Sequence, residues 1–181
     1  MPYDPGAGGA RPHDPAELLL AETILAFRAQ KRAGDAALKQ LEEEDWAVRL
    51  DDESNSVSVL VRHLAGNMVS RWSDFLFSDG EKPSRRRDEE FEDAGATPTE
   101  LWRRWERGWE VAFDALERLG PDDLTREVTI RGEPHTVARA LLRQLAHYAQ
   151  HVGQIVLLAK HLRGASWRTL SLARRRRTSD P

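Results

Sequence analysis

His147-Tyr148-Ala149-Gln150-His151 places two imidazoles one helical turn apart, about 40° from each other around a helix axis. One divalent cation could take a nitrogen from each. Around the pair, Val137, Leu141, Leu145, Tyr148, Val152, Ile155, Ala159 and Leu162 recur at three- and four-residue spacing. The spacing predicts a long, largely buried helix from 137 to about 162. Thr136 is placed to cap its start and Gly164 to end it. Gln144, His147, His151 and Gln154 lie beside the apolar stripe, so the polar groups border the core.

The remaining periodicity predicts three more helices and hence an all-α bundle. Asp14-Pro15 offers an N-cap and a first-turn proline. A helix follows to about Gln30 or Lys31, and a second piece after Gly34 continues toward Trp46. Ser56 opens a helix expected to reach about Phe75, with His63 at the edge of its apolar face. Asn67, Ser70 and Asp74 lie on the same side as His63. Thr97-Pro98-Thr99-Glu100 is a capping box for a helix ending at Gly120-Pro121. Its stripe of Trp102, Trp105 and Trp109 is the composition of a core face. Arg131-Gly132, between Val128-Thr129-Ile130 and Glu133-Pro134-His135, predicts a small hairpin before the last helix. Residues 78–91 are charged and punctuated, which predicts a long surface loop, either one that covers or borders a pocket or a solvated charged connection tied down by ion pairs.

These elements give one domain over residues 14–166, between a mobile Gly/Pro-rich tail (1–13) and a basic tail (167–181) with four consecutive arginines at 174–177. With 181 residues and a net charge of -3, the chain carries no overall nucleic-acid footprint. It has no cysteine, so any metal must be held by His, carboxylate, amide or water. No apolar run approaches the roughly 20 residues of a bilayer span, and no signal peptide opens the chain. A cytoplasmic protein is expected.

His63, His147 and His151 could supply the three ligands of an open metal site, or the pair could be merely tolerated at a helix shoulder with His63 a satisfied core histidine. His135 and His161 are weaker candidates by position. The intervening Tyr-Ala-Gln lacks the glutamate of a His-Glu-x-x-His protease. Glu-x-x-His di-iron motifs, phosphate loops and nucleophile elbows are missing as well.

His63 and the His147-x-x-x-His151 pair followed by Gly153-Gln154 resemble the DinB/YfiT-like superfamily of metal-binding four-helix bundles. Within it the chain is similar to a branch marked here by Asn55-Ser56, His63-Leu64-Ala65-Gly66-Asn67-Met68, Ser70-Arg71-Trp72-Ser73-Asp74-Phe75-Leu76 and Ser78-Asp79-Gly80-Glu81-Lys82-Pro83. Arg85, Arg87-Asp88 and Glu90-Phe91 continue the signature. The resemblance implies an up-down-down-up bundle, often a homodimer, whose three histidines hold Zn²⁺ or Ni²⁺. It also implies chemistry of the kind relatives perform with low-molecular-weight thiols such as bacillithiol, mycothiol or glutathione. A thiol or water on the metal would then attack a small electrophile in stress or detoxification, with no side chain as nucleophile. Their places on the helices make Asn67, Arg71, Asp74, Gln144 and Tyr148 candidates for contacts to the ligands or substrate. A metal-binding or ligand-binding bundle without catalysis is the alternative.

Overall fold

A computed structural model describes residues 14–92 and 95–171. The expected N-terminal tail and the arginines at 174–177 lie outside the described residues. The chain is mostly helical: α1 (Pro15–Leu38), α2 (Val57–Trp72), α3 (Pro98–Glu117) and α4 (Val137–Arg163). Two antiparallel strands, β1 (Glu127–Ile130) and β2 (Glu133–Thr136), join α3 to α4. Their register pairs Val128 with His135 and Ile130 with Glu133, leaving Arg131-Gly132 as the turn.

Side-chain caps start every helix where the sequence offers them. The Asp14 carboxylate accepts from the Ala16 amide, Ser56 from Val59 and Thr136 from Arg139, while Thr97 and Glu100 form a reciprocal capping box. Each such cap satisfies an otherwise unpaired amide, a contribution of about 1 kcal/mol. No helix among the described residues is long and apolar enough to cross a membrane.

Two boundaries differ from expectation. α1 does not break before Gly34 but runs on to Leu38, and a separate 3-10 turn, Glu43–Ala47, buries Trp46. The Lys31 ammonium reaches the Asp35 carboxylate at 2.7 Å, and Asp35 in turn accepts from Trp105 Nε1 at 2.7 Å. These bonds carry the helix through the glycine. α2 ends at Trp72, short of Phe75, and Asp74 takes a positive φ of 48° that no helix continues through.

The core draws on all four helices and β1. Phe27 of α1, Leu64, Met68 and Trp72 of α2, Trp105 and Trp109 of α3, Tyr148 and Ile155 of α4, and Val128 and Ile130 of β1 belong to one buried cluster. The tryptophan stripe of α3 is therefore core, apart from the partly buried Trp102. Phe27 meets Trp72 and Tyr148 with centroids 5.8 Å away in each case, and Trp109 meets Tyr148 at 5.6 Å. α2 packs chiefly on α3, and α1 on α4. Beyond α4, Trp167 packs on the core, and Arg168 exchanges two hydrogen bonds with Gln40, at 2.7 and 3.0 Å.

Gly34 sits where a Cβ would lie 2.5 Å from Cζ2 of the fully buried Trp105. Helix propensity favours alanine there by up to about 1 kcal/mol. Overpacking costs typically ~1–3 kcal/mol, and the bond to Asp35 holds the indole in place. Gly34→Ala is therefore expected to destabilise the protein by roughly 1–2 kcal/mol in urea unfolding. A stabilised variant would show that the indole yields freely.

Candidate metal centre

α2 contributes His63 and α4 contributes His147 and His151, and one nitrogen from each of the three rings lies within 4.8 Å of the others. The ring centroids are separated by 5.3, 5.0 and 4.7 Å. His63 Nε2 and His147 Nε2 stand 3.2 Å apart. Two nitrogens bound tetrahedrally at ~2.0–2.1 Å would be about 3.3 Å apart, so this spacing suits a shared ion. His135, bonded to the Glu133 carbonyl, and the exposed His161 stay outside the cluster.

Hydrogen bonds select the tautomers. His63 Nδ1 lies 3.0 Å from Glu90 Oε2, and an ionised carboxylate only accepts, so Nδ1 carries the proton and the lone pair is on Nε2. His151 Nδ1 lies 2.7 Å from Gln154 Oε1, which likewise leaves Nε2 as the free donor atom. His147 Nδ1 is buried without a partner among the described residues. The donor set is thus three imidazoles, one of them held by a carboxylate behind it, an arrangement that orients metal ligands and raises their basicity. These residues could hold a metal ion.

Glu90 comes from the segment expected to be a surface loop, which does border the cleft but is buried at Arg85 and Glu90 rather than solvated there. The loop folds back on α2, ending in a 3-10 turn at Asp88–Phe91, and Arg62 donates to the Glu89 carbonyl. Arg85, with 4% of its side chain exposed, donates to both Glu90 oxygens at 2.8 and 2.7 Å and reaches Glu81 at 3.2 Å. Phe91 packs on the His63 ring, with centroids 4.8 Å apart. Gly66 admits the carboxylate, because a Cβ there would collide with Glu90 Oε1. Asp79 anchors the far end of the loop by accepting from the backbone of Glu81, Arg131 and Gly132 at 2.6–2.9 Å.

Electrostatics disfavour the charged form of the two α4 histidines and favour that of the supporting carboxylate. Burial, then the neighbouring His151 and His63, push His147 down to about 3. Burial also lowers His151, although its bond to Gln154 opposes the shift. Burial alone would raise Glu90, yet the hydrogen bonds from His63 and Arg85 hold its carboxyl below the ordinary range. A neutral imidazole is the form that binds a metal.

A cleft of about 530 Å³ opens onto the cluster and is lined by His63, His147, His151, Asn67, Arg71 and Gln144 among others. Three of the five further candidates therefore reach it. Tyr148 instead points into the core, its hydroxyl accepting from Trp72 Nε1 and Gln144 Nε2 and donating to Asn67 Oδ1. Asp74 is exposed beyond the end of α2 and does not line the cleft. Arg85, Arg87, Phe91, Arg131 and Arg143 also line it, although no role follows for them from helical spacing. Arg85 and Glu90-Phe91 belong to the motif on which the sequence resemblance rests, and that motif and the length of the loop are the sequence signals that the loop matters. A larger groove of about 1110 Å³ runs beside α2 and α3, but none of the three histidines lines it.

A family model described as "Protein of unknown function (DUF1572)" matches residues 14–176. The chain belongs to that family. DUF1572 is a DinB-like family, in keeping with the helical fold and the three-histidine cluster. No curated protein matches this DUF1572 chain.

With His147 held near 3 against an ordinary 6.5, an unfolded chain takes up a proton between those values that the native protein refuses. The stability from a neutral His147 is complete above pH 6.5 and is lost as pH falls toward 3. Metal-stripped protein is expected to lose up to about 1.4 kcal/mol per pH unit from this group between pH 6 and 5. His147→Gln should flatten that slope in thermal melts, and an equal slope in both proteins would mean that His147 is protonated in the native state.

Proposed function

We propose that this protein is a divalent-metal-dependent enzyme of the thiol S-transferase type, acting on small electrophiles in stress or detoxification. The observation that carries the proposal is the convergence of three imidazoles within 4.8 Å on a cleft of small-molecule size. Catalytic sites typically use three protein ligands and leave a position for the reactant, whereas structural ions are fully enclosed by protein. Placement of the ligands beside a cleft favours the catalytic arrangement over a purely structural one.

His63, His147 and His151 would hold Zn²⁺ or Ni²⁺. The chemistry such an ion supplies when bound is Lewis acidity, which favours the thiolate form of a coordinated thiol near neutral pH. Glu90 fixes the tautomer of His63, and Arg85 and Phe91 keep Glu90 and the ring in place. Asn67 Oδ1 accepts from Gln144 Nε2 at 2.7 Å, which holds two polar groups of the cleft at one setting. A low-molecular-weight thiol is the cosubstrate we infer from the resemblance: its S–H proton would pass to solvent, its sulfur would bond to an electrophilic carbon, and the bond from that carbon to its leaving group would break, the leaving group taking the electron pair.

The finer features of the resemblance have support of the same kind. For an up-down-down-up order, Arg28–Glu117 and Lys31–Glu106 suggest that α1 and α3 are antiparallel. His63–His151 and Asn67–Gln144 suggest the same of α2 and α4, and Phe27–Tyr148 followed by Asp45–Arg163 supports parallel α1 and α4. Membership of the branch with the His-Leu-Ala-Gly-Asn signature is favoured by the roles of Gly66, Arg85 and Glu90 around His63. For a homodimer, the exposed Leu18 and Leu25 on α1 and Leu142 and Leu157 on α4 are available apolar groups.

Mass spectrometry of untagged protein is expected to find about one metal ion per chain, with three ligands per site, lost in His63→Ala and in the double variant His147→Ala/His151→Ala. Glu90→Gln should keep the fold and weaken metal affinity about 10–100-fold. Stoichiometric metal in the histidine variants would remove the centre. With a chromogenic electrophile and a series of cellular thiols, the wild type should turn over and the histidine variants should not. Equal rates in both would place any conjugation elsewhere.

A further inference from the structure

Beside the three histidines the cleft is strongly cationic. Arg71, Arg85, Arg87, Arg131 and Arg143 line it, and among the described residues no carboxylate does. Most of these guanidinium groups have partners in the chain. Arg85 is bound to Glu90 and Glu81, Arg131 Nε reaches Glu81 at 3.1 Å, and Arg87 pairs with Asp88 at 3.1 Å. Arg143 makes only a long bond of 3.4 Å to Gln144 Oε1.

Arg71 is different. Its side chain is 1% exposed, and its Nε and Nη1 have no hydrogen-bond partner among the described residues. Its carboxylate neighbour, Glu81, stands 3.7 Å from Nη2, beyond hydrogen-bond distance, and is shared with Arg85 and Arg131. Burial and then the like charge of Arg143 hold Arg71 below its ordinary value, a sign that the chain under-compensates this guanidinium. Buried charged donors are normally paired, and a planar guanidinium matches the oxygens of a carboxylate or phosphate.

Position supplies the rest. Arg71 follows His63 by eight residues on α2, about 12 Å along the axis, and a long helical side chain leans back toward the helix N-terminus and so toward His63. Arg143 precedes His147 by one turn on α4. The two arginines therefore mark one end of a cleft whose other end is the imidazole cluster.

We propose that the arginine end of the cleft binds the oxyanion group, carboxylate or phosphate, of the small molecule whose other end reaches the three histidines. Arg71 is the buried anchor and Arg143 its counterpart on the facing helix. This rests on the metal-centre reading for the placement of the reactive end, and it assigns the substrate or cosubstrate to the class of small organic anions.

Isothermal titration of the full-length protein as purified, with metal content recorded for each sample, tests this with succinate, inorganic phosphate and neutral succinamide. At least one anion should bind and succinamide should not; the ratio of the two anion affinities tells carboxylate from phosphate. Arg71→Met and Arg143→Gln should each weaken the anion at least about tenfold, with metal content retained. Arg143 is exposed, so Arg143→Gln decides the question should Arg71→Met not fold. Absence of anion binding, equal affinity in the folded variants, or equal binding of succinamide would overturn the proposal. Metal retained without anion binding removes only the anion site. Arginine-dependent anion binding without metal removes only the metal centre.

Discussion

The hydroxyl of Tyr148 is the point on which the geometry of the molecule turns. It is fully buried, and it accepts from Trp72 Nε1 at 2.9 Å and Gln144 Nε2 at 3.1 Å while donating to Asn67 Oδ1 at 3.2 Å. An unpaired phenol at that depth would cost about 1–3 kcal/mol, so the rotation of α4 against α2 is restricted to settings that complete the set. The ring itself meets Phe27 of α1 and Trp109 of α3, so that one side chain touches all four helices. Burial keeps the phenol protonated, with its pKa raised to about 12. His147 is the next residue back and His151 lies one turn on. Fixing Tyr148 inward therefore brings both imidazoles to the edge of α2, where His63 waits.

Helix packing alone would bring the three rings together without deciding which nitrogens face one another. That choice comes from one group outside the helix pair, Glu90 on His63, and from one within it, Gln154 of α4 on His151. Glu90 is itself held by Arg85, and its approach depends on Gly66. The centre is thus a product of two helices and a returning loop, with the loop supplying chemical definition and the helices supplying position.

Much of this was legible in the sequence because it is local. Caps such as Ser56 and Thr136, the turn at Arg131-Gly132 and the apolar stripes all express themselves within a few residues, and so did the placement of His63, His147 and His151 at the edge of the core. The errors at Gly34 and Glu90 share one cause, which is a decisive partner far away in the chain. Gly34 resembles a helix breaker until Trp105 packs against it, 71 positions later. Arg85 and Glu90 read as solvated charges because pairing between buried ions has no periodic signature. Asp74 was carried onto the helix face by a wheel that assumed three more residues of α2. Tyr148 belongs to the apolar stripe and stays there, since its hydroxyl is satisfied inside the core.

Asp79 gives the architecture a further property. Its carboxylate binds the amides of Arg131 and Gly132 at the tip of the hairpin as well as the amide of Glu81 in its own loop, and those bonds hold its pKa below the ordinary range despite burial. The α2–α3 and α3–α4 connections, separated by a whole helix, are fastened to each other at their outermost points. Their lengths are consequently coupled: a residue gained or lost between Trp72 and Asp79 would shift the latch off the hairpin tip, and only a matching change around Arg131 would restore it. Variation in chain length within this fold should thus arise in pairs across α3, or be confined to segments that Asp79 does not bridge.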